Sequence, residues 1–146
     1  MTFADNCIRV CVDQADDDHF TGTLYGVALQ QPIPFCNRMD FVVKVDKAFD
    51  RIGKPQSGQV IRSFTGNGAA GSSYCGSPKH YHTSESLVDK SGSAGTFGLT
   101  MLTRRRAEWQ GRLTDGQGRL LGFFETAMEC VTLITRATNA KKEAER

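Results

Sequence analysis

Two stretches of this 146-residue chain carry the same pattern 89 positions apart, with no insertion in either. Phe20-Thr21-Gly22-Thr23-Leu24 aligns with Trp109-Gln110-Gly111-Arg112-Leu113. Phe35 falls on Phe124, Met39 on Met128, Val42 on Val131, Val45 on Ile134 and Ala48 on Ala137. Upstream, Ile8, Val10 and Val12 fall on Phe97, Leu99 and Met101. A shared register of this kind implies one structural unit present twice, which restricts the chain to folds built from two like halves. It implies no activity.

Ile8, Val10 and Val12 alternate with polar neighbours, the period of a half-buried strand over 8–13. A polar turn follows over 13–19, then a second strand over 20–26 with Phe20, Gly22 and Leu24 on one face. Pro32-Ile33-Pro34-Phe35 suits a short edge strand, because proline cannot donate to a ladder from a central position. Asn37 reads as a helix N-cap with Asp40 three residues on. Thr126 and Glu129 occupy the matching places in the second copy and form a capping box. Matching polar caps strengthen the duplication argument, since a chance match of apolar residues would not preserve them. The first helix spaces Phe41, Val45, Ala48, Phe49 and Ile52 along one stripe; the second does so with Ala127, Cys130, Val131, Ile134 and Ala137. Both stripes are narrow enough to lie on a sheet. Gly53 and Pro55 end the first helix, and the second is expected to dissolve into a solvated tail over 141–146.

The expected fold class is therefore α+β: tandem duplicated β-β-(β)-α units forming a pseudo-two-fold antiparallel sheet with two helices packed on it. The first unit spans 1–54 and the second 96–140, joined by a connecting segment over 55–95. A single unit would leave a sheet face and both edges exposed and be marginal alone. Gly22 and Gly111 are expected at bulges or at close helix–sheet approaches. Within the connection, 66–95 is rich in glycine and serine and reads as a flexible linker or as a binding loop that orders on a partner. Trp109, with Phe123 and Phe124, is expected to anchor the core.

Composition bounds the function. A 39% hydrophobic and 23% charged chain is ordinary for a globular protein, and a net charge of +2 is too small to imply a polyanionic partner. No run approaches 18 uninterrupted apolar residues, so no membrane span is expected. The N-terminal residues lack a basic region followed by an apolar run, so no secretory signal is expected. Five cysteines, an odd number without a CxxC pair, point to free thiols in a reducing cytoplasm.

Candidate chemistry is sparse. Cys75, His80 and His82 form a Cys-x4-His-x-His cluster of zinc-compatible ligands, with a fourth ligand to come from His19 or an aspartate at 16–18. A Cys–His nucleophile pair is the other chemistry these residues allow. The aspartates at 16–18 lack the order of an EF-hand loop, and Asp115-Gly116-Gln117-Gly118 reads as a hairpin turn. The repeat alignment adds a charge contrast. Ala15-Asp16-Asp17 falls on Arg104-Arg105-Arg106, so the same turn is acidic in one unit and basic in the other. Residues 1–50 carry eight acids and four bases, or −4; residues 96–146 carry nine bases and six acids, or +3. Asp16, Asp17, Asp18, Arg104, Arg105 and Arg106 thereby become candidate partner-binding residues, suited to head-to-tail self-assembly or to docking on a charged protein.

From Phe97 to Ala137 the chain resembles a module found in small uncharacterised bacterial proteins. In that module a strand precedes Trp-x-Gly-x-[Leu/Val], and Phe-x-Ser-x-x-Glu-Leu opens a helix. The corresponding residues are Trp109-Gln110-Gly111-Arg112-Leu113 and Phe124-Glu125-Thr126-Ala127-Met128-Glu129-Cys130, with threonine for the usual serine and cysteine for the usual leucine. The stretch from Ile8 to Phe64 is similar to the N-terminal part of some of the same proteins. The resemblance implies a bacterial origin and a fold, and no activity.

The leading expectation is a non-catalytic cytoplasmic adaptor or inhibitor. It would act through contacts with another protein, a homo-oligomer being one form of such contact, and would have no cofactor and no membrane association. Two alternatives stand beside it: a nucleic-acid-binding protein using the Arg104–Arg106 turn, and a small zinc- or thiol-dependent enzyme built on Cys75, His80 and His82.

Overall fold

A computed structural model describes residues 6–16, 18–53, 80–105 and 108–144. The elements run β1 (Cys7–Ala15), β2 (Phe20–Tyr25), β3 (Ile33–Phe35), α1 (Arg38–Ile52), α2 (Ser84–Val88), β4 (Gly95–Arg105), β5 (Glu108–Asp115), β6 (Leu120–Phe124) and α3 (Ala127–Ala144). The fold is α+β. Six strands form one antiparallel sheet in the order β3-β2-β1-β4-β5-β6.

Strand alternation sets the two faces. In β2, Phe20, Gly22 and Leu24 are buried while Thr21, Thr23 and Tyr25 are half-buried. Ile8, Val10 and Val12 of β1 point the same way, as do Phe97, Leu99 and Met101 of β4, and all six are buried. α1 and α3 cover this inner face. Phe41 of α1 packs edge-on against Phe20, Phe35 and Trp109 at ring separations of 5.3, 5.0 and 6.3 Å. Trp109 belongs to the second half of the chain, so α1 seals strands from both halves.

Pairing registers recur at the 89-residue offset. Val12 faces Gly22 and the register then shifts before Gln14; Met101 faces Gly111 and the register shifts before Thr103. Gly22 in turn faces Phe35, and Gly111 faces Phe124. These glycines are needed because there is no room for a Cβ. At Gly22 it would meet the Cys11 carbonyl oxygen and lie 2.7 Å from the Phe35 ring; at Gly111 it would meet the Thr100 carbonyl oxygen and lie 2.8 Å from the Phe124 ring. Each ring lies over its glycine at a bulged ladder.

Helix ends follow the sequence signals. The Asn37 side chain accepts the Asp40 N–H at 2.7 Å, and the Asp40 carboxylate reaches back to the Cys36 N–H at 3.0 Å. Thr126 accepts the Glu129 N–H at 3.1 Å. Gly53 closes α1 in the left-handed region, φ 81°, with its N–H on the Phe49 carbonyl. α3 runs on to Ala144, so residues 141–144 are helical rather than a tail.

Of the connecting segment expected over 55–95, residues 55–79 lie outside the described residues, and 80–94 is structured. Its described residues fold onto the outer face of the sheet. Tyr81 N–H bonds the Val27 carbonyl at 2.7 Å, and Ala94 N–H bonds the Val12 carbonyl at 2.8 Å. Leu87 of α2 is buried with Val27, against Cys7 and Tyr25. Buried Arg9 donates from Nε to the Lys90 carbonyl at 2.7 Å and from Nη2 to the Val88 carbonyl at 3.2 Å. One aliphatic side chain and one arginine thus replace the long apolar run that would have marked this segment as structured. No helix among the described residues is long and apolar enough to cross a membrane.

Gly111→Ala is expected to lower stability by about 3 kcal/mol, because the new methyl meets backbone that cannot move aside. Urea unfolding followed by tryptophan fluorescence will measure it; a change below about 0.5 kcal/mol would show that the β4–β5 bulge tolerates a side chain.

Candidate functional site

The acidic turn is a closed local structure. One Asp16 carboxylate oxygen accepts the backbone N–H groups of Asp18 at 2.9 Å and His19 at 2.7 Å, with the His19 ring at 3.2 Å. These backbone donors hold the Asp16 carboxyl below its usual range. The Arg38 guanidinium bonds the Asp16 carbonyl at 2.6 Å and lies 5.4 Å from the centre of the Phe20 ring, fastening the turn to the start of α1. Asp18 is exposed, and Asp17 lies outside the described residues.

Arg104 is not in the exposed basic turn expected of it. It faces Trp109 across the β4–β5 ladder, on the inner face, and is 1% exposed. Its guanidinium donates to Asp46 Oδ1 at 2.7 Å and to Asp50 Oδ1 at 2.6 Å, both on α1, and to the Asp46 carbonyl at 3.3 Å. The register shift after Met101 produces this placement: the extra residue turns Arg104 inward, where an unshifted ladder would have aimed it outward. Arg104 is therefore a structural tie between β4 and α1. The Arg105 side chain and Arg106 lie outside the described residues.

His80 and His82 are exposed, and the His82 Nε2 pairs with the Gln30 carbonyl at 3.0 Å. Cys75, the third member of the expected cluster, lies outside the described residues. Among the described residues no group of three or more histidine, cysteine, aspartate or glutamate side chains could hold a metal ion. The described thiols are all held above their usual range. Burial pushes Cys11 up to about 11 and raises Cys7 and Cys130, while the Asp40 carboxylate raises exposed Cys36.

Concave surface collects around the loop over 26–32, on both sides of Leu29 and Gln31. One hollow of 400 Å³ is lined by Ala28, Gln30, Arg51 and Tyr81; another of 120 Å³ by Tyr25, Pro32, His82, Leu87 and Lys90. The Lys90 ammonium stands 5.6 Å from the centre of the Tyr25 ring. Among the described residues neither hollow gathers a carboxylate pair or a nucleophile with its base.

The two sheet edges differ. β3 is three residues long, is preceded by Pro32 and contains Pro34, and the Lys44 ammonium caps the Pro34 carbonyl at 3.2 Å. β6, Leu120-Leu121-Gly122-Phe123-Phe124, has neither proline nor lysine. Phe124 is buried over Gly111, but Phe123 is 66% exposed, with Leu120 at 53% and Leu121 at 39%. Phe123 therefore does not anchor the core. It stands on the outer face beside exposed Arg112, in one row with Thr100 and Cys7. Sequence reasoning missed this edge, though a signal was available: at the 89-residue offset Pro32 falls on Leu121 and Pro34 on Phe123.

Comparison with protein-family models, with curated proteins and with solved structures returned no match.

Arg104→Ala is expected to cost about 3 kcal/mol, since it leaves a cavity and removes the partner of two carboxylates. Arg104→Met, which keeps the volume, is expected to cost less than half of that; equal losses in urea unfolding would show that the charge, not the packing, dominates. Alkylation with iodoacetamide is expected to modify Cys36 in the native protein while Cys11 and Cys130 react only on unfolding. Peptide mass mapping will check this, and native labelling of Cys130 would contradict its burial.

Proposed function

We propose that this chain is a non-catalytic binding protein of adaptor or inhibitor type, and that it acts by protein–protein contact through β6 and the outer-face side chains beside it. The observation that carries the reading is the β6 edge. A strand at the end of the sheet with a two-thirds exposed phenylalanine and two exposed leucines brings a ladder edge and apolar side chains together. That combination is what strand addition by a partner uses. The sheet's other end is closed by prolines and a lysine, which supports a selective role for the open one.

We further propose that the chain arose by tandem duplication, its halves related by a pseudo-two-fold axis between β1 and β4. Support comes from the ladders. Arg9 faces Gly98, residues 89 apart, and under that offset the pairs Cys7–Thr100 and Cys11–Thr96 exchange, as do Ile8–Leu99 and Val10–Phe97. On this reading the two edges began alike and diverged, one toward proline and one toward exposed apolar residues.

Native mass spectrometry of untagged protein, gently purified from its own cells, tests the binding role. The expected result is a mass above the single chain by a protein subunit, reduced to the single chain by Phe123→Lys. A zinc or oligonucleotide adduct, or a bare chain in both samples, would replace this reading.

A further inference from the structure

We infer that the 120 Å³ hollow beside Tyr25 is a binding site for a small aromatic carboxylate, its ring among Tyr25, Leu29, Pro32 and Leu87 and its carboxylate on the Lys90 ammonium. The site lies on the outer face toward the β3 end of the sheet, away from β6, and does not depend on the reading of that edge.

Three pieces of chain build the hollow. β2 supplies Tyr25, the loop after it supplies Leu29 and Pro32, and the segment over 80–94 supplies His82, Leu87 and Lys90. Backbone bonds lock these pieces to one another. The loop closes on itself through the Leu29 N–H and the Gly26 carbonyl at 3.1 Å. The Tyr81 and His82 N–H groups both reach the Val27 carbonyl, at 2.7 and 3.3 Å. The His82 ring adds a bond from Nε2 to the Gln30 carbonyl at 3.0 Å, and Arg9 holds the Lys90 carbonyl at 2.7 Å. Leu29 and Leu87 are each 2% exposed, so both apolar walls are packed from behind. Walls fixed in this way spare a ligand the cost of ordering them.

Charge selects an anion. The loop and the start of the 80–94 segment come from two stretches, 19–39 and 51–84, that contain no aspartate or glutamate. Glu85 and Asp89 are exposed, and neither is among the described lining residues. The Lys90 ammonium has no carboxylate partner among the described residues; it stands 5.6 Å from the centre of the Tyr25 ring. That contact places the cation at the hollow and leaves its N–H donors for a ligand oxygen.

Size and wall chemistry select the rest of the ligand. An apolar cavity of roughly 150 Å³ is enough to hold benzene, so a hollow of 120 Å³ that is open on one side suits a single ring. The rings of Tyr25 and Pro32 are rigid, and Leu29 and Leu87 are aliphatic, which favours a flat apolar body. A phosphate would bring more oxygens than one ammonium can satisfy and would set them against apolar walls. A carboxylate with a ring behind it meets both halves of the site.

Titration of the full chain with benzoate, read from the amide signals of an isotope-labelled sample, tests the inference, with circular dichroism to confirm that each variant folds. Benzoate is expected to shift the Gly26, Leu29, Gln31 and Lys90 amides saturably while those of Leu121 and Phe123 stay in place. Benzamide has the ring without the charge, and acetate the charge without the ring; each is expected to bind about tenfold more weakly than benzoate. Lys90→Gln is expected to weaken benzoate about tenfold and to leave benzamide unchanged. Arg51→Gln removes the cation of the neighbouring hollow and is expected to leave benzoate binding as it was. No saturable shift, benzamide binding as well as benzoate, or Lys90→Gln without effect on benzoate would overturn the inference. Loss of binding in Arg51→Gln, or the same shifts from inorganic phosphate at equal concentration, would overturn it too.

Discussion

β1 and β4 pair in the middle of the sheet, Cys7 opposite Thr100 and Val12 opposite Gly95, and the rest of the molecule hangs from that seam. Buried Asn6 clamps its end, donating its side-chain amide to the Met101 carbonyl and accepting the Met101 N–H on its own carbonyl. Because the seam joins two hairpins from opposite ends of the chain, it lines up Ile8, Val10 and Val12 with Phe97, Leu99 and Met101 on one face. Only then is the apolar surface wide enough to need both long helices. Neither half could bury its own helix stripe as well, since Phe41 of α1 rests partly on Trp109 of the other half. Contacts this distant in sequence carry a large loop-closure cost before they are rewarded, so assembly of the seam is the natural slow step of folding.

Arg104 shows how the interior accommodates a charge. An arginine beneath a helix would be costly alone, but Asp46 and Asp50 are spaced one turn apart on α1, so both carboxylates reach it, and both remain partly in water. Much of the acidic excess of the first half is therefore directed at a base of the second. The contrast that looks in sequence like a molecular dipole is partly neutralised inside the fold.

The periodic elements were legible in the sequence because their physics is local. Alternation in β1 and β2, the stripe Phe41-Val45-Ala48-Phe49-Ile52, the caps at Asn37 and Thr126 and the αL stop at Gly53 each depend on neighbours within a few residues. What escaped depends on distant partners. α2 has one buried leucine and is held by Arg9, roughly eighty positions away in the chain. The direction of Arg104 turns on a single-residue register shift, which periodicity does not reveal. Phe123 and Phe124 are adjacent and chemically alike, yet strand alternation sends one outward and one inward. The candidate site follows the same rule: an edge strand becomes visible only when the order of the sheet is known.

The prolines of β3 also limit how the sheet could be extended. A sheet with two open ends can add neighbours indefinitely and grow into a filament. With Pro32 and Pro34 at one end, a strand can be added only beside β6, so the sheet is built to lengthen in one direction.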